Sequence, residues 1–218
     1  MNFERLFDFL ETLNKNNSKE WMDEHRNQYE TVKADYVEWL EDLDLKLSKI
    51  DENYYSSSGK KAINRINNNL LYHPNKPTYK DHFGAGLDKR PKTGDFYIHL
   101  GIQEIFVAGG FYKPKSELLK SIREAIDYNG DEFKEIINSK TFQKHFGGLM
   151  EDEDKLKTSP KGFSQDHKHI ELLRLKSFAA MKSFERKDVL AEDFKDKVIE
   201  TYKVMLPFRR YLNKAVTV

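Results

Sequence analysis

The sequence has no cysteine among its 218 residues. This absence excludes disulfide bonds, thiol nucleophiles and zinc sites with cysteine ligands, and it predicts a reducing compartment such as the cytoplasm. Apolar runs of about 18 residues, the length that a membrane-spanning helix needs, are also missing from the sequence. The first residues place acids among their apolar positions, which predicts no signal peptide. We therefore expect a cytoplasmic protein without a membrane partner.

The chain also lacks a large net charge. The chain has 37 Lys and Arg against 36 Asp and Glu, so no overall positive field attracts nucleic acid, and we do not expect a nucleic-acid partner. The charge is nevertheless uneven, because residues 1–52 hold 14 acids and 7 bases whereas residues 60–92 hold 8 bases and 2 acids. Either the acidic segment packs beside the basic one and neutralises it, or the basic segment binds an anionic ligand.

Apolar periodicity predicts helices in residues 1–52. Phe3, Leu6, Leu10 and their neighbours recur at helical spacing, and a longer helix follows up to Ile50 with one apolar face. Asn17 precedes Glu20 by three residues, which is the spacing of a capping box at the start of that second helix.

The middle of the chain predicts strands. Residues 94–101 and 103–112 are rich in aromatic and β-branched residues and meet at Gly101, which indicates a β-hairpin. Helical periodicity returns after Pro114, and a last helix is predicted from about Glu192. Residues 174–184 fit either a further strand or the end of a helix, and we favour the strand.

These patterns predict one α+β domain over residues 1–218. Residues 1–52 are expected to be helical, residues 53–112 mainly strands, and residues 113–218 mainly helices with one further strand. The class is a mostly antiparallel sheet flanked by N-terminal and C-terminal helices.

Common catalytic motifs are absent from the sequence, including the phosphate-binding glycine loop, Gly-x-Ser-x-Gly and His-Glu-x-x-His. The segment HFGAG (82–86) lacks the glycine spacing of a dinucleotide site, so no cofactor is predicted.

The stretch SPKGFSQDHKHI (159–170) concentrates polar residues and allows three interpretations. His167 and His169 with Asp166 resemble metal ligands, for which His82 or His99 could complete the set. Alternatively, Asp166 orients His167 for proton transfer while nearby cations hold a phosphate or carboxylate. In the third interpretation Asp166 caps a helix that starts near Lys168. We expect no metal site.

Four ordered blocks resemble a known family: FDFLETLNKNNSKEWMDEHRNQYE, YKDHFGAG, AGGFYKPKSELLKSIREAI and LKTSPKGFSQDHKHIELLRLKSF. They are similar to the family called domain of unknown function 2461, over nearly the whole chain. The resemblance implies a single α+β domain with no assigned activity. This chain departs from the family pattern at Asn68, Asn69 and Leu71, where charged residues are usual.

Together, the residues and the resemblance predict a polar, basic pocket that binds or modifies a small anionic ligand. The segments 76–86 and 160–168 are expected to line one concavity. The candidate catalytic residues are His167, Asp166 and His82, and the candidate ligand-binding residues are Arg65, Lys76, Lys80, Tyr112 and Lys161.

The alternative is a scaffold protein that binds a partner through the aromatic residues of its N-terminal helices. The pocket hypothesis instead expects Trp21, Tyr29 and Tyr36 to be mostly buried.

Overall fold

The structure is a computed structural model and describes residues 1–217. These residues form nine helices and four strands. The helices are α1 (Phe3–Lys15), α2 (Lys19–Glu24), α3 (Arg26–Ser48), α4 (Gly59–Ala62), α5 (Ser116–Asn138), α6 (Lys140–Phe146), α7 (Ile170–Leu173), α8 (Arg186–Leu190) and α9 (Phe194–Thr217). The strands are β1 (His82–Leu87), β2 (Phe96–Gly101), β3 (Ile105–Phe111) and β4 (Phe178–Ser183).

The fold is α+β, as predicted. The strands form one antiparallel sheet in the order β1-β2-β3-β4, with helices at both ends of the chain. The hairpin at Gly101 is confirmed, and β4 confirms the strand that we favoured over a helix end. Residues 53–112 were expected to be mainly strands, and within them residues 63–81 lie outside the four strands. They are irregular apart from two isolated bridges, Ile63 with Ala85 and Asn67 with Tyr79.

The chain divides into two compact units, which are described separately. The first comprises residues 1–88, 97–107 and 183–199, and the second comprises residues 89–96, 108–182 and the described chain from Glu200 onward. Each unit is assembled from segments that are distant in sequence. The prediction of one domain spanning residues 1–218 stays a prediction.

The core of the first unit joins the N-terminal helices to strand β1. Helical spacing places Leu6, Leu10 and Leu13 on one face of α1, where all three are fully buried. Phe83 of β1 packs its ring against Tyr29 and Tyr36 of α3, at centroid distances of 6.2 and 5.9 Å. Such aromatic contacts add to the stabilisation that comes from burying apolar area.

The second helix differs from the prediction at both its start and its middle. Ser18 is the N-cap of α2, because its hydroxyl accepts a hydrogen bond from the amide of Trp21 at 3.2 Å. Asn17, the residue we expected to cap this helix, contacts another segment instead. The expected long helix is interrupted at His25, so α2 and α3 are separate helices.

The aromatic residues of these helices largely face the core of the first unit. Tyr29 and Tyr36 are buried, which confirms the prediction for both, whereas Trp21 is half-buried and stacks on His25 at 4.0 Å. A partner-binding surface would display these side chains. The structure therefore does not favour the scaffold alternative.

The second unit has its own aromatic core. Phe133 of α5 contacts Phe178 of β4 and Phe208 of α9, at centroid distances of 6.0 and 5.8 Å, and all three side chains are fully buried. Arg209 is also buried, and its guanidinium donates a hydrogen bond to the Gly94 carbonyl at 2.9 Å. No helix within residues 1–217 is long and apolar enough to cross a membrane.

Tyr36→Phe should leave the first unit as stable as the wild type, or stabilise it by up to about 1 kcal/mol. The Tyr36 hydroxyl is buried and has no hydrogen-bond partner among the described residues. Burying such a group costs about 1–3 kcal/mol, and phenylalanine removes it while keeping the ring. Urea unfolding measures the difference. A loss above about 1 kcal/mol would show that the hydroxyl is satisfied by a group such as buried water.

Candidate functional site

The segment that enters β1 is held by the side chain of Asn17. The amide oxygen of Asn17 accepts a hydrogen bond from the Tyr79 backbone N–H at 2.9 Å, and its NH₂ group donates to the Tyr79 carbonyl at 3.0 Å. Tyr79 itself is buried. These two bonds hold the backbone of Tyr79 in place. They therefore also restrict the position of the next three residues, Lys80, Asp81 and His82.

Lys80 lies in a cluster of cations with Arg65 and Lys76. Its ammonium donates a hydrogen bond to the backbone carbonyl of Arg65 at 2.6 Å. Burial lowers the pKa of Lys80, and the charges of Arg65 and Lys76 lower it further. Among the described residues, none of these three cations forms an ion pair with a carboxylate. The sequence-predicted ligand residues Arg65, Lys76 and Lys80 therefore form one unneutralised cluster.

His82 follows this cluster and is paired with its neighbour Asp81. The ring Nδ1 lies 2.9 Å from Asp81 Oδ1, a distance at which a protonated Nδ1 donates to the carboxylate. That contact assigns the proton to Nδ1, which leaves the Nε2 lone pair able to accept a proton. About one fifth of the His82 side chain is exposed. An Asp–His pair with this orientation is suited to general acid–base chemistry.

The His82 ring stacks on His99 of β2 at a centroid distance of 4.0 Å, and His99 stacks on Phe106 of β3 at 4.6 Å. Side chains alternate along a strand, so His99 and Tyr97 share the face opposite the buried Ile98. Burial lowers the pKa of His99 to about 4, with a further contribution from His82. His99 is therefore uncharged at neutral pH.

Two glycines make room for these rings. The hydroxyl of Tyr97 lies over Gly84, at a position that a β-carbon on Gly84 would occupy. A β-carbon on Gly101 would come within 2.9 Å of His99 Nε2. A β-carbon at either position would displace the ring that it meets, so the two glycines allow this arrangement of the rings.

Sequence reasoning found His82 but missed the residues that complete its surroundings. Asp81, Tyr97 and Phe106 were not singled out, and His99 was considered as a metal ligand alone. One signal was present, since Tyr97 and His99 alternate with apolar residues in a predicted strand and must share a face. The register that brings His99 beside His82 could not be read from the sequence.

The second unit contains His167, and its contacts differ from the prediction. His167 Nε2 lies 2.9 Å from Asp127 Oδ1 of α5, and Nδ1 accepts a hydrogen bond from the His169 backbone N–H at 3.0 Å. Both ring nitrogens are therefore engaged, and the orienting carboxylate is Asp127 rather than Asp166. The surrounding structure fixes His167, which makes it less suited to proton transfer than His82.

The predicted cap at Asp166 is also wrong. The helix here is α7, which begins at Ile170 with His169 as its N-cap residue. Asp166 lies in the preceding turn, is exposed, and donates its backbone N–H to the Ser164 hydroxyl at 3.3 Å. The helix starts later than predicted because residues 164–169 form successive turns, with backbone bonds from His167 to Ser164 and from Ile170 to His167.

The ring of His169 packs against a break in helix α5. The backbone of Asn129 is non-helical there, and a β-carbon on Gly130 would come within 2.5 Å of the His169 ring. The ring is fully buried, and neither of its nitrogens has a hydrogen-bond partner among the described residues. Asp131 Oδ1 lies 3.4 Å from Nε2, while the Lys168 ammonium pairs with the other Asp131 oxygen at 2.6 Å.

The remaining predicted residues of the second unit are Tyr112 and Lys161, which are both exposed. The Lys113 ammonium lies 5.5 Å from the Tyr112 ring centroid. The eight predicted site residues are thus divided equally between the two units. The shared concavity of segments 76–86 and 160–168 stays a prediction.

Within the described residues, no group of three or more His, Asp or Glu side chains is arranged to hold a metal ion. This finding also covers His167 and His169, which were considered as a metal pair in the sequence. The candidate site in the first unit offers cations, imidazoles and a carboxylate.

Comparison with known proteins identifies the family. The family model described as "Conserved hypothetical protein (DUF2461)" matches residues 5–211. The chain belongs to this family. No curated protein and no solved structure matches it significantly. The match confirms the resemblance found in the sequence, and it includes every residue of the candidate site.

Acid should destabilise the second unit through His169. Burial lowers the pKa of His169, and the charges of Lys134, Lys168 and His167 lower it further, while Asp131 opposes them. An unfolded histidine titrates near about pH 6.5, so below that pH the unfolded chain binds a proton that the folded chain resists. The contribution of His169 to stability is therefore complete above about pH 6.5 and is lost as the pH falls through this range.

Melting temperatures between about pH 7.5 and pH 5 test this expectation. His169→Phe keeps a ring but cannot bind a proton, so its melting temperature should fall less with acid than that of the wild type. His73→Gln is the matched control, because His73 is exposed. Equal acid sensitivity of wild type and His169→Phe would contradict a role for His169.

Proposed function

We propose that this protein binds a small anionic ligand at the cluster formed by Arg65, Lys76 and Lys80, and that His82 exchanges a proton with that ligand. The observation that carries the proposal is the unneutralised charge of the cluster. Burial and the charges of Arg65 and Lys76 lower the pKa of Lys80, and none of the three cations has a carboxylate partner among the described residues. An anionic ligand would relieve this repulsion.

The electrostatic surroundings of Lys80 support ligand binding. A lysine whose charge serves solubility extends into water, whereas the Lys80 side chain is partly buried beside Arg65. Placing an ammonium there without a carboxylate destabilises its charged form. Sites with such unfavourable electrostatics are frequently functional.

His82 gives the site a group that can transfer a proton. Lys80 and His82 are two residues apart in the segment that enters β1, and Asp81 fixes the imidazole through Nδ1. A bound anion that carries an ionisable hydrogen or a leaving group could therefore receive or give a proton at Nε2. Binding and proton transfer would therefore use residues of the same short segment.

Thermal shift with inorganic phosphate, sulfate, acetate and citrate tests the proposal. At least one anion should raise the melting temperature of the wild type, because a ligand that binds the folded state stabilises it. Lys80→Ala and Arg65→Ala should reduce the shift, since each removes a charge from the cluster. Lys203→Ala is the matched control, because Lys203 is an exposed cation on α9 outside the cluster.

Two results would contradict the proposal. If Lys161→Ala abolished the shift while Lys80→Ala left it intact, the anion site would lie in the second unit. If no anion raised the melting temperature and the wild type self-associated, the scaffold alternative would regain support.

A further inference from the structure

The charges around Lys80 leave an excess that a single negative charge does not neutralise. Arg65, Lys76 and Lys80 contribute three positive charges, and Asp81 beside His82 contributes one negative charge. These four groups leave an excess of two positive charges. A carboxylate ligand would neutralise half of it, whereas a dianion would neutralise all of it.

Neutral hydrogen-bonding groups lie over Gly84, two residues after His82 in β1. A β-carbon on Gly84 would lie 2.4 Å from the Tyr97 hydroxyl and 3.2 Å from the Asn64 amide nitrogen. The Tyr97 hydroxyl also lies 3.4 Å from His99 Nδ1. The Asn64 backbone N–H donates to the Gly84 carbonyl at 2.7 Å, which ties this segment to the strand. A phosphoryl group has three terminal oxygens and accepts several hydrogen bonds, so it can use both charged and neutral donors.

We infer that the site takes a dianionic phosphoryl group, the chemistry that free phosphate and phosphate monoesters share. This inference rests on the proposed function and adds the ligand class to it. A single carboxylate carries one negative charge and would leave half of the charge excess unneutralised. The dianion would contact the cluster of Arg65, Lys76 and Lys80, with His82 Nε2 beside it.

Lys80 provides an independent signature of such a ligand. Its pKa is lowered by burial and by two neighbouring cations, and a bound dianion would raise it again. A lysine is partly deprotonated at about pH 9.5 even at its ordinary pKa, so binding at this pH should be accompanied by proton uptake. Arginine stays protonated at this pH, so Lys80→Arg should keep binding but lose that uptake.

Isothermal titration calorimetry with phenyl phosphate and phenyl sulfate separates charge from shape. The two probes have the same phenyl group and a tetrahedral head, but at about pH 8 the phosphate is a dianion and the sulfate a monoanion. Phenyl phosphate should bind about tenfold or more tightly than phenyl sulfate, a difference of about 1.4 kcal/mol. Inorganic phosphate is the third probe. If inorganic phosphate binds more tightly than phenyl phosphate, the ligand class is free phosphate. If phenyl phosphate binds more tightly, the ligand class is a phosphate monoester.

Proton uptake is measured by repeating the phenyl phosphate titration at about pH 9.5 in two buffers with different ionisation enthalpies. Wild type should take up more protons than Lys80→Arg. Equal affinity for phenyl phosphate and phenyl sulfate would overturn the dianion inference and leave the anion site intact. Failure of all three probes and of the simple anions to bind would overturn both.

Discussion

The side-chain amide of Asn17 pairs with both backbone polar groups of Tyr79, and the candidate site depends on this pairing. Residues 63–81 have little regular structure, and Tyr79 is joined to Asn67 by an isolated bridge. The half-buried amide of Asn17 satisfies one backbone donor and one backbone acceptor of Tyr79 from a distant segment, which adds to the bonds of this bridge. Lys80, Asp81 and His82 therefore start from a fixed position although they follow an irregular segment.

The sheet gives the site its second constraint. Alternation along β2 sends Ile98 into the core of the first unit and Tyr97 and His99 to the opposite face. Gly84 and Gly101 carry no side chains, which lets the rings approach the backbone of the sheet. The imidazole of His82 consequently lies against a neutral ring, with its own orientation set by Asp81.

The two units use histidine in different ways. His167 and His169 are held by α5 at its break near Asn129, where Asp127 binds one ring and Gly130 accommodates the other. Their polar atoms are engaged or buried, which is typical of structural histidines. His82 has one engaged nitrogen and a partly exposed ring, as a proton-transfer group requires.

The sequence by itself determined the α+β class, the helical face of α1 and the hairpin at Gly101, because helical and strand periodicities are local properties of the chain. It also identified the cations Arg65, Lys76 and Lys80 and the family to which the chain belongs. The tertiary structure decided which side chains contact one another. Asp127 is 40 residues from His167, and the stack of His99 on His82 depends on strand register, which local patterns do not encode. Packing between segments distant in sequence likewise decided the break at His25 and the cap at Ser18. It also decided that, within residues 1–217, the cations have no carboxylate partners.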